Sequence, residues 1–215
     1  MKTILTGILL LAVTVTLFPA QAGIYSDGNV NGSGTALGTV IPDGSPSGVT
    51  SQITVSTPDY ILTDVTVTLN VSGGNNGDLY AYLSYNGTLV TLLNRVGTGS
   101  GDAIQQTFGF STSGFNNITL ADGSASNIHN VQNPVSGTTY SPDGGTLVSF
   151  NGANPNGTWT LFFADLSAGD TSTLNGWSLD ITAVPEPVNV ALAIFGGLLV
   201  AWRVVSRRPG PAAVS

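Results

Sequence analysis

Cysteine is absent from the 215 residues, so neither disulfide bonds nor thiolate chemistry contributes to this protein. Basic residues are almost absent from its middle. Between Gly23 and Val184 the only lysine or arginine is Arg95, against eleven aspartates and no glutamate. Because binding to phosphate depends on lysine and arginine, this composition excludes nucleic acid as a partner. Calcium, or a neutral or cationic partner, stays compatible with it.

Histidine occurs only once, at His129, in the polar segment SNIHNVQN. A Ser-His-Asp triad needs a histidine held by an aspartate beside a nucleophilic serine, and the chain contains no Gly-x-Ser-x-Gly elbow. We therefore interpret His129 as a solvated loop residue and predict that the protein is not an enzyme. Zinc is not expected either, because there is no cysteine and no histidine pair.

Charged residues make up 8% of the chain and hydrophobic residues 41%, with 28 glycines. The low charge and abundant glycine are compatible with disorder, but the apolar content and its pattern favour a folded domain. Apolar and polar residues alternate over Ile61–Val71 and Leu79–Leu83, and Asn86-Gly87 is a typical hairpin turn. Because no long stretch has a helical period, the pattern predicts an all-β sandwich or jelly roll.

Two further alternating runs each carry a tryptophan, Trp159-x-Leu161-x-Phe163 and Trp177-x-Leu179-x-Ile181. Each run predicts a strand with its tryptophan on the inward face. We expect the pair to close the sandwich as a hairpin.

Three aspartates end predicted strands or lie in the loop between the tryptophan strands: Asp78, Asp165 and Asp170. Calcium takes six to eight oxygen ligands, which loops rich in Asp and Asn supply. Aspartate is also a common turn residue that accepts backbone N–H bonds. The sequence leaves both interpretations open, and the three aspartates are our predicted structural calcium ligands.

The first 22 residues have the pattern of a secretory signal peptide. Lys2 precedes an apolar stretch, and Ala20-Gln21-Ala22 predicts cleavage between Ala22 and Gly23. Residues 23–40 are rich in glycine and asparagine and weakly patterned, so we predict a flexible leader that docks only partly on the domain. A single domain is expected over residues 41–183.

The other end carries Pro185-Glu186-Pro187, an apolar run over residues 188–202, and then arginines at Arg203, Arg207 and Arg208. The run predicts a transmembrane helix with flanking basic residues. Residues 184–208 resemble the PEP-CTERM sorting signal, and residues 209–215 form a tail. The resemblance implies processing by an exosortase and export to the cell surface or matrix of a Gram-negative-type bacterium that produces exopolysaccharide.

The middle of the chain resembles the P/Homo B domain, the P domain of proprotein convertases. The motifs occur in order: Ile41-Pro42-Asp43, Ile53-Thr54-Val55-Ser56, Gly77-Asp78-Leu79, Gly87-Thr88, Leu120-Ala121-Asp122, Gly157-Thr158-Trp159-Thr160-Leu161 and Trp177-Ser178-Leu179. This resemblance implies a β jelly roll that accompanies and stabilises a subtilisin-like serine protease without contributing catalytic residues.

We therefore expect a non-catalytic, exported interaction or structural module associated with the cell surface or matrix. One alternative is an accessory domain for a separately encoded subtilase, and another is a carbohydrate-binding module that uses the exposed face of Tyr80 and Tyr82.

Overall fold

The computed structural model describes residues 20–28, 36–58, 60–99 and 108–206. Within them the chain forms two separate compact units, residues 20–184 and a second unit that includes the chain from Pro185 onward. The strands are β1 (Gln21–Gly28), β2 (Thr39–Ile41), β3 (Ser45–Val55), β4 (Tyr60–Gly73), β5 (Leu79–Tyr85), β6 (Thr88–Asn94), β7 (Phe115–Leu120), β8 (Thr139–Tyr140), β9 (Gly157–Asp165) and β10 (Ser172–Pro185). Helix α1 spans Pro187–Ser206.

The strands build two sheets. One has the order β1-β10-β4-β7-β8, with β2 also paired to β10, and the other has the order β3-β9-β5-β6. The pairs β1–β10, β2–β10 and β4–β7 of the first sheet and all three pairs of the second are antiparallel, whereas β7 and β8 are parallel. One hydrophobic cluster contains buried residues from both sheets. The prediction of an all-β fold is therefore confirmed, and the more specific name jelly roll stays a prediction.

The alternating patterns place the expected side chains in the core. Leu79, Ala81 and Leu83 are fully buried in β5, and β6 returns antiparallel beside it. The predicted turn joins them, with Asn86 at φ 47° and Gly87 at φ 80°. Those positive φ angles are the ones that a tight two-residue hairpin turn requires.

The two tryptophan strands do not form a hairpin. Trp159 lies in β9 of the four-stranded sheet and Trp177 in β10 of the six-stranded sheet, and both are fully buried. The predicted hairpin is therefore wrong, although both inward faces are as expected. Alternation determines which face of a strand is buried, but it carries no information about the partner strand.

The predicted leader is partly ordered. Residues 21–28 pair with β10 over eight residues, from Gln21 opposite Ala183 to Gly28 opposite Gly176, and Thr39–Ile41 form β2. Strands β1 and β2 are thus the parts of the predicted leader that dock on the domain. Backbone hydrogen bonds to the long strand β10 order a segment whose side chains show little apolar pattern. Residues 29–35 lie outside the described part.

The predicted signal peptide lies mostly outside the described residues, which begin at Ala20. The predicted cleavage point between Ala22 and Gly23 falls within β1. The apolar segment Leu147–Phe150 forms a 3₁₀ turn, and residues 108–110 do not form a strand.

Helix α1 forms where the apolar C-terminal run predicted a helix. Across the described residues, however, no helix has both the length and the apolar character needed to cross a membrane. This corrects the transmembrane prediction. The apolar run of residues 188–202 gives only about 22 Å of helix at 1.5 Å per residue, against a hydrocarbon core of roughly 30 Å. Pro185 and Glu186 precede the helix, Arg203 lies in its last turn, and Arg207 and Arg208 are outside the described residues.

Candidate functional site

Two of the predicted calcium ligands meet at one end of the four-stranded sheet. Asp78 ends the 3₁₀ turn Asn76–Asp78 just before β5, and Asp165 is the last residue of β9. Leu79 is the pairing partner of Asp165, and Leu166 donates its N–H to the Asp78 carbonyl over 2.8 Å. Strand pairing therefore brings together two residues that are far apart in sequence.

Asp170 belongs to the same end of the domain but not to the same cluster. Its carboxylate is exposed and accepts from the Asn75 amide over 3.1 Å. Across the described ranges no three Asp, Glu, His or Cys side chains are grouped so that they could hold a metal. The predicted set of three carboxylates is thus not assembled, because the Asp170 side chain is engaged at the surface while the other two are buried.

Asp165 is completely buried. It continues the inward series of Trp159, Leu161 and Phe163, so alternation places a carboxylate on the core face of the sheet. One oxygen, Oδ1, accepts from the Ser167 N–H over 3.2 Å, and Oδ2 has no partner.

The surroundings of Asp165 disfavour its negative charge. Burial is the largest cause and raises its pKa, and the nearby negative charges of Asp78 and Asp43 raise it further. Backbone N–H groups of Ser167 and Gly44 act in the opposite direction without cancelling the rise. Burying an unpaired carboxylate in this position costs free energy unless a proton neutralises it or a cation binds it.

Asn76 is the residue of this cluster that sequence reasoning missed. It is fully buried, and its Nδ2 donates to the Gly114 carbonyl over 3.0 Å and to Thr112 Oγ1 over 3.3 Å. Its Oδ1 has no partner. In the sequence it belongs to Gly-Gly-Asn-Asn-Gly, which is typical of an exposed turn and gives no sign of burial.

Arg95 lies beside the cluster without neutralising it. Its Nε donates to the Gly77 carbonyl and its guanidinium to Ser167 Oγ, each over 3.3 Å. Within the described part of the chain, the one ion pair joins His129 and Asp143, so Arg95 pairs with none of these carboxylates. A cleft of about 350 Å³ adjoins the cluster and is lined in part by Asn75, Asp78 and Ser167.

His129 connects two loop segments through hydrogen bonds of its ring, whereas we expected a solvated loop residue. Its Nδ1 lies 2.9 Å from the Asp143 carboxylate and its Nε2 lies 2.7 Å from the Thr98 carbonyl oxygen. Both acceptors call for a ring N–H, which favours the doubly protonated form. Partial burial lowers the pKa, but the hydrogen bond and charge of Asp143 and the Thr98 carbonyl outweigh it, so the pKa is raised. Its hydrogen bond to the Thr98 carbonyl leaves Nε2 without a free lone pair to act as a general base.

The outer face of the four-stranded sheet carries three half-buried aromatic rings. Tyr82 is the pairing partner of Phe162, and their rings stack with centroids 4.7 Å apart. Tyr80 lies edge-on to Tyr82 at 6.2 Å. The sequence pattern identified the two tyrosines but not Phe162. This ring reaches them through the pairing of β5 with β9, a strand about 80 residues later in the chain.

These features define an all-β domain of two sheets with a buried acidic cluster, which consists of Asn76, Asp78 and Asp165. The sequence matches the family model for the proprotein convertase P-domain over residues 62–181. This match covers more than half of the chain, and the chain therefore belongs to the proprotein convertase P-domain family.

Two solved structures resemble the chain at low identity. One is a serine protease of Aeromonas sobria in complex with its chaperone, with 18% identity and a TM-score of 0.47, covering 79% of this chain and 28% of that one. The other is the serine protease of Aeromonas sobria, with 17% identity and a TM-score of 0.42, covering 78% and 28%. The chain thus spans under a third of the length of these proteins. No curated protein matches it.

Proposed function

We propose that the protein is a non-catalytic, exported P-domain module that binds and stabilises a separately encoded subtilisin-like serine protease at the cell surface or in the surrounding matrix. The family match over residues 62–181 carries this proposal. The order of strands also supports the description as a jelly roll, since the first and last strands, β1 and β10, lie side by side.

The absence of peptidase activity in this chain is part of the proposal. It is supported by the hydrogen bonds that occupy both ring nitrogens of its single histidine, His129. A histidine held in this way has no free nitrogen to accept a proton from a serine. The purified chain is expected not to cleave casein, and cleavage that survives removal of contaminating proteases would contradict the assignment.

The test of the main proposal uses the full chain together with a subtilisin-like catalytic domain encoded in the same genome. We expect the half-life of protease activity at elevated temperature to lengthen several-fold when the chain is present, because a partner that binds only the folded protease stabilises it. The same chain after heat denaturation is the control. An unchanged half-life at saturating chain concentration would refute an accessory role.

Export is proposed from the two ends of the sequence. A signal peptide over residues 1–22 and a PEP-CTERM-like tail over residues 184–208 would deliver the domain through an exosortase system to an exopolysaccharide-rich surface. Mass spectrometry of the protein recovered from the host is expected to show a new N-terminus at Gly23. Replacing Pro185-Glu186-Pro187 with three alanines is expected to change where the protein accumulates.

The aromatic face supports carbohydrate binding as a second function. Stacked Tyr82 and Phe162, with Tyr80 beside them, offer apolar ring surface. Neutral hydrogen-bonding side chains surround these rings, including Thr50 opposite Phe162 and Thr91 opposite Tyr82. This combination of apolar surface and uncharged polar groups is the chemistry that a neutral sugar needs.

Affinity electrophoresis in gels that contain the host's exopolysaccharide tests this second function. The full chain is expected to be retarded, and Tyr82→Ala is expected to migrate freely. Val148→Ala, at an exposed apolar residue away from these rings, is the matched control. Equal migration of all three proteins with and without polysaccharide would eliminate the carbohydrate hypothesis and leave the protease hypothesis untouched.

A further inference from the structure

Two buried oxygen atoms lack any partner, and both belong to the acidic cluster of Asn76, Asp78 and Asp165. They are Oδ2 of Asp165 and Oδ1 of Asn76, and among the described residues no other buried side-chain nitrogen or oxygen is left without a hydrogen bond. Buried polar groups in folded proteins are almost always satisfied, so an unpaired one indicates a missing donor, water or ion. Both atoms here are acceptors, so each calls for a hydrogen-bond donor or a cation.

Strand pairing brings the two residues to the same end of the four-stranded sheet. Asn76 opens the 3₁₀ turn that ends at Asp78, and Asp165 pairs with Leu79, the next residue. Asp78 is 4% exposed, and its charge acts on Asp165. Two buried carboxylates and one buried carboxamide oxygen therefore lie at one end of the sheet.

Arg95, the one basic side chain beside these oxygens in the described part of the domain, does not satisfy them. The guanidinium of Arg95 is directed to the Gly77 carbonyl and to Ser167. In the span from Gly23 to Val184 there is no other lysine or arginine. Two buried carboxylates without a counter-charge repel one another, and a bound cation removes that cost.

We propose that the acidic cluster is a calcium site in which Asp165 and Asp78 supply carboxylate oxygens and Asn76 supplies its carboxamide oxygen. Calcium accepts carboxylate, carboxamide, carbonyl and water oxygens in irregular arrangements of six to eight ligands. Two carboxylates completed by neutral oxygens suit it, and the absence of a third acidic, histidine or cysteine ligand among the described residues excludes a zinc-type set. The site is independent of the proposed protease partner and of the aromatic face.

The proposal predicts calcium-dependent stability of the full chain after treatment with a chelator. A ligand that binds only the folded state raises the melting temperature in proportion to the logarithm of its concentration once it exceeds the dissociation constant. We expect the melting temperature to rise steadily with calcium and much less with magnesium at equal ionic strength. No shift at millimolar calcium would overturn the proposal.

Two substitutions locate the effect. Asp165→Asn keeps the shape of the side chain and removes one charge, so the dissociation constant for calcium measured by titration calorimetry is expected to rise at least tenfold. Asp64→Asn, at an exposed aspartate toward the opposite end of β4, is the matched control and should leave it unchanged. If Asp165 is instead protonated, Asp165→Asn will be as stable as the native chain and neither protein will respond to calcium. That outcome would refute the site.

Should Asp165→Asn fail to fold, Asp78→Asn provides the same test. Its calcium affinity is also expected to weaken tenfold, and an unchanged affinity would count against the proposal.

Discussion

The phenol ring of Tyr85 lies parallel to the indole of Trp159, with centroids 4.0 Å apart and an angle of 4° between the planes. The Tyr85 hydroxyl also lies 2.6 Å from the Asn154 carbonyl oxygen and 2.8 Å from that of Asn156. One side chain therefore joins the inner face of β5 to β9 and to the turn before β9. Its ring and its hydroxyl contribute to stability separately.

Substitutions at Tyr85 separate the two contributions. Tyr85→Phe keeps the stack and loses the hydroxyl, so we expect a loss of about 1 kcal/mol in the free energy of unfolding. Tyr85→Leu also loses the aromatic stack, which adds roughly 0.5–1.5 kcal/mol. Denaturant unfolding measures both. Tyr82→Phe is the control, and a loss as large as that of Tyr85→Phe would show that the hydrogen bonds to the two carbonyls are not the cause.

The turn that carries the proposed calcium ligands has no room for a side chain at Gly77. A Cβ there would lie 2.5 Å from the Phe110 nitrogen and 2.6 Å from two Gly109 atoms, all backbone. We expect Gly77→Ala to destabilise the domain by roughly 1–3 kcal/mol, the usual cost of overpacking. Gly87→Ala is the comparison, because open space surrounds that position.

At Gly87 only the positive φ of 80° opposes a side chain, which costs about 1 kcal/mol. Thermal unfolding of the two variants is expected to rank Gly77→Ala as the less stable. The reverse order would mean that the loop around Gly109 moves aside freely.

Stability is expected to depend on pH through His129. Its folded-state pKa lies above the ordinary value of 6.5 because Asp143 and the Thr98 carbonyl favour the protonated ring. The contribution is therefore fully present below the unfolded pKa and is lost as pH rises through the folded pKa.

The free energy of unfolding, measured from about pH 6 to about pH 9, is expected to fall across that window. His129→Gln removes the titrating group and should flatten this part of the profile. A fall of equal size in the variant would assign the pH dependence to another group.

A hydrogen-bonded chain fastens β1 to the domain. The indole Nε1 of buried Trp177 donates to Ser51 Oγ over 2.8 Å, and the Ser51 hydroxyl donates to the Asp27 carboxylate. Ser51→Ala leaves the indole N–H without its acceptor, so we expect a loss of roughly 1–3 kcal/mol. The change should also increase hydrogen exchange at residues 21–28. Ser47→Ala, at an exposed serine of the same strand, is the control, and it should show neither effect.

Sequence alternation predicted much of this fold, and its errors have a common cause. Strands β4, β5 and β6 were found because one face of each is buried, and the Asn86-Gly87 turn has a strong local preference. Strand β1 was missed because backbone pairing with β10 and the hydrogen bond to Asp27 hold it in place. Neither interaction produces an alternating apolar pattern in its sequence. The placement of β9 and β10 in different sheets depends on partners distant in sequence.

The acidic cluster was only partly predictable from the sequence, for the same reason. Asp78 and Asp165 were identified by their positions at strand ends, but Asp170 has the same kind of position and is exposed. Burial of Asn76 arises from the segment around Thr112 and Gly114 that covers it, a contact between loops that no local pattern encodes.

The pairing of β1 with β10 has a mechanical consequence. Gln21 lies opposite Ala183, so the chain enters and leaves the domain at neighbouring positions. A force that separates the two ends of the domain opens these pairs one after another from this end, which is Gly23 opposite Ile181 after the proposed cleavage, instead of shearing them all together. A domain held at one end only is spared this load, whereas one pulled from both ends would lose its edge strand first and leave the rest of the sandwich folded.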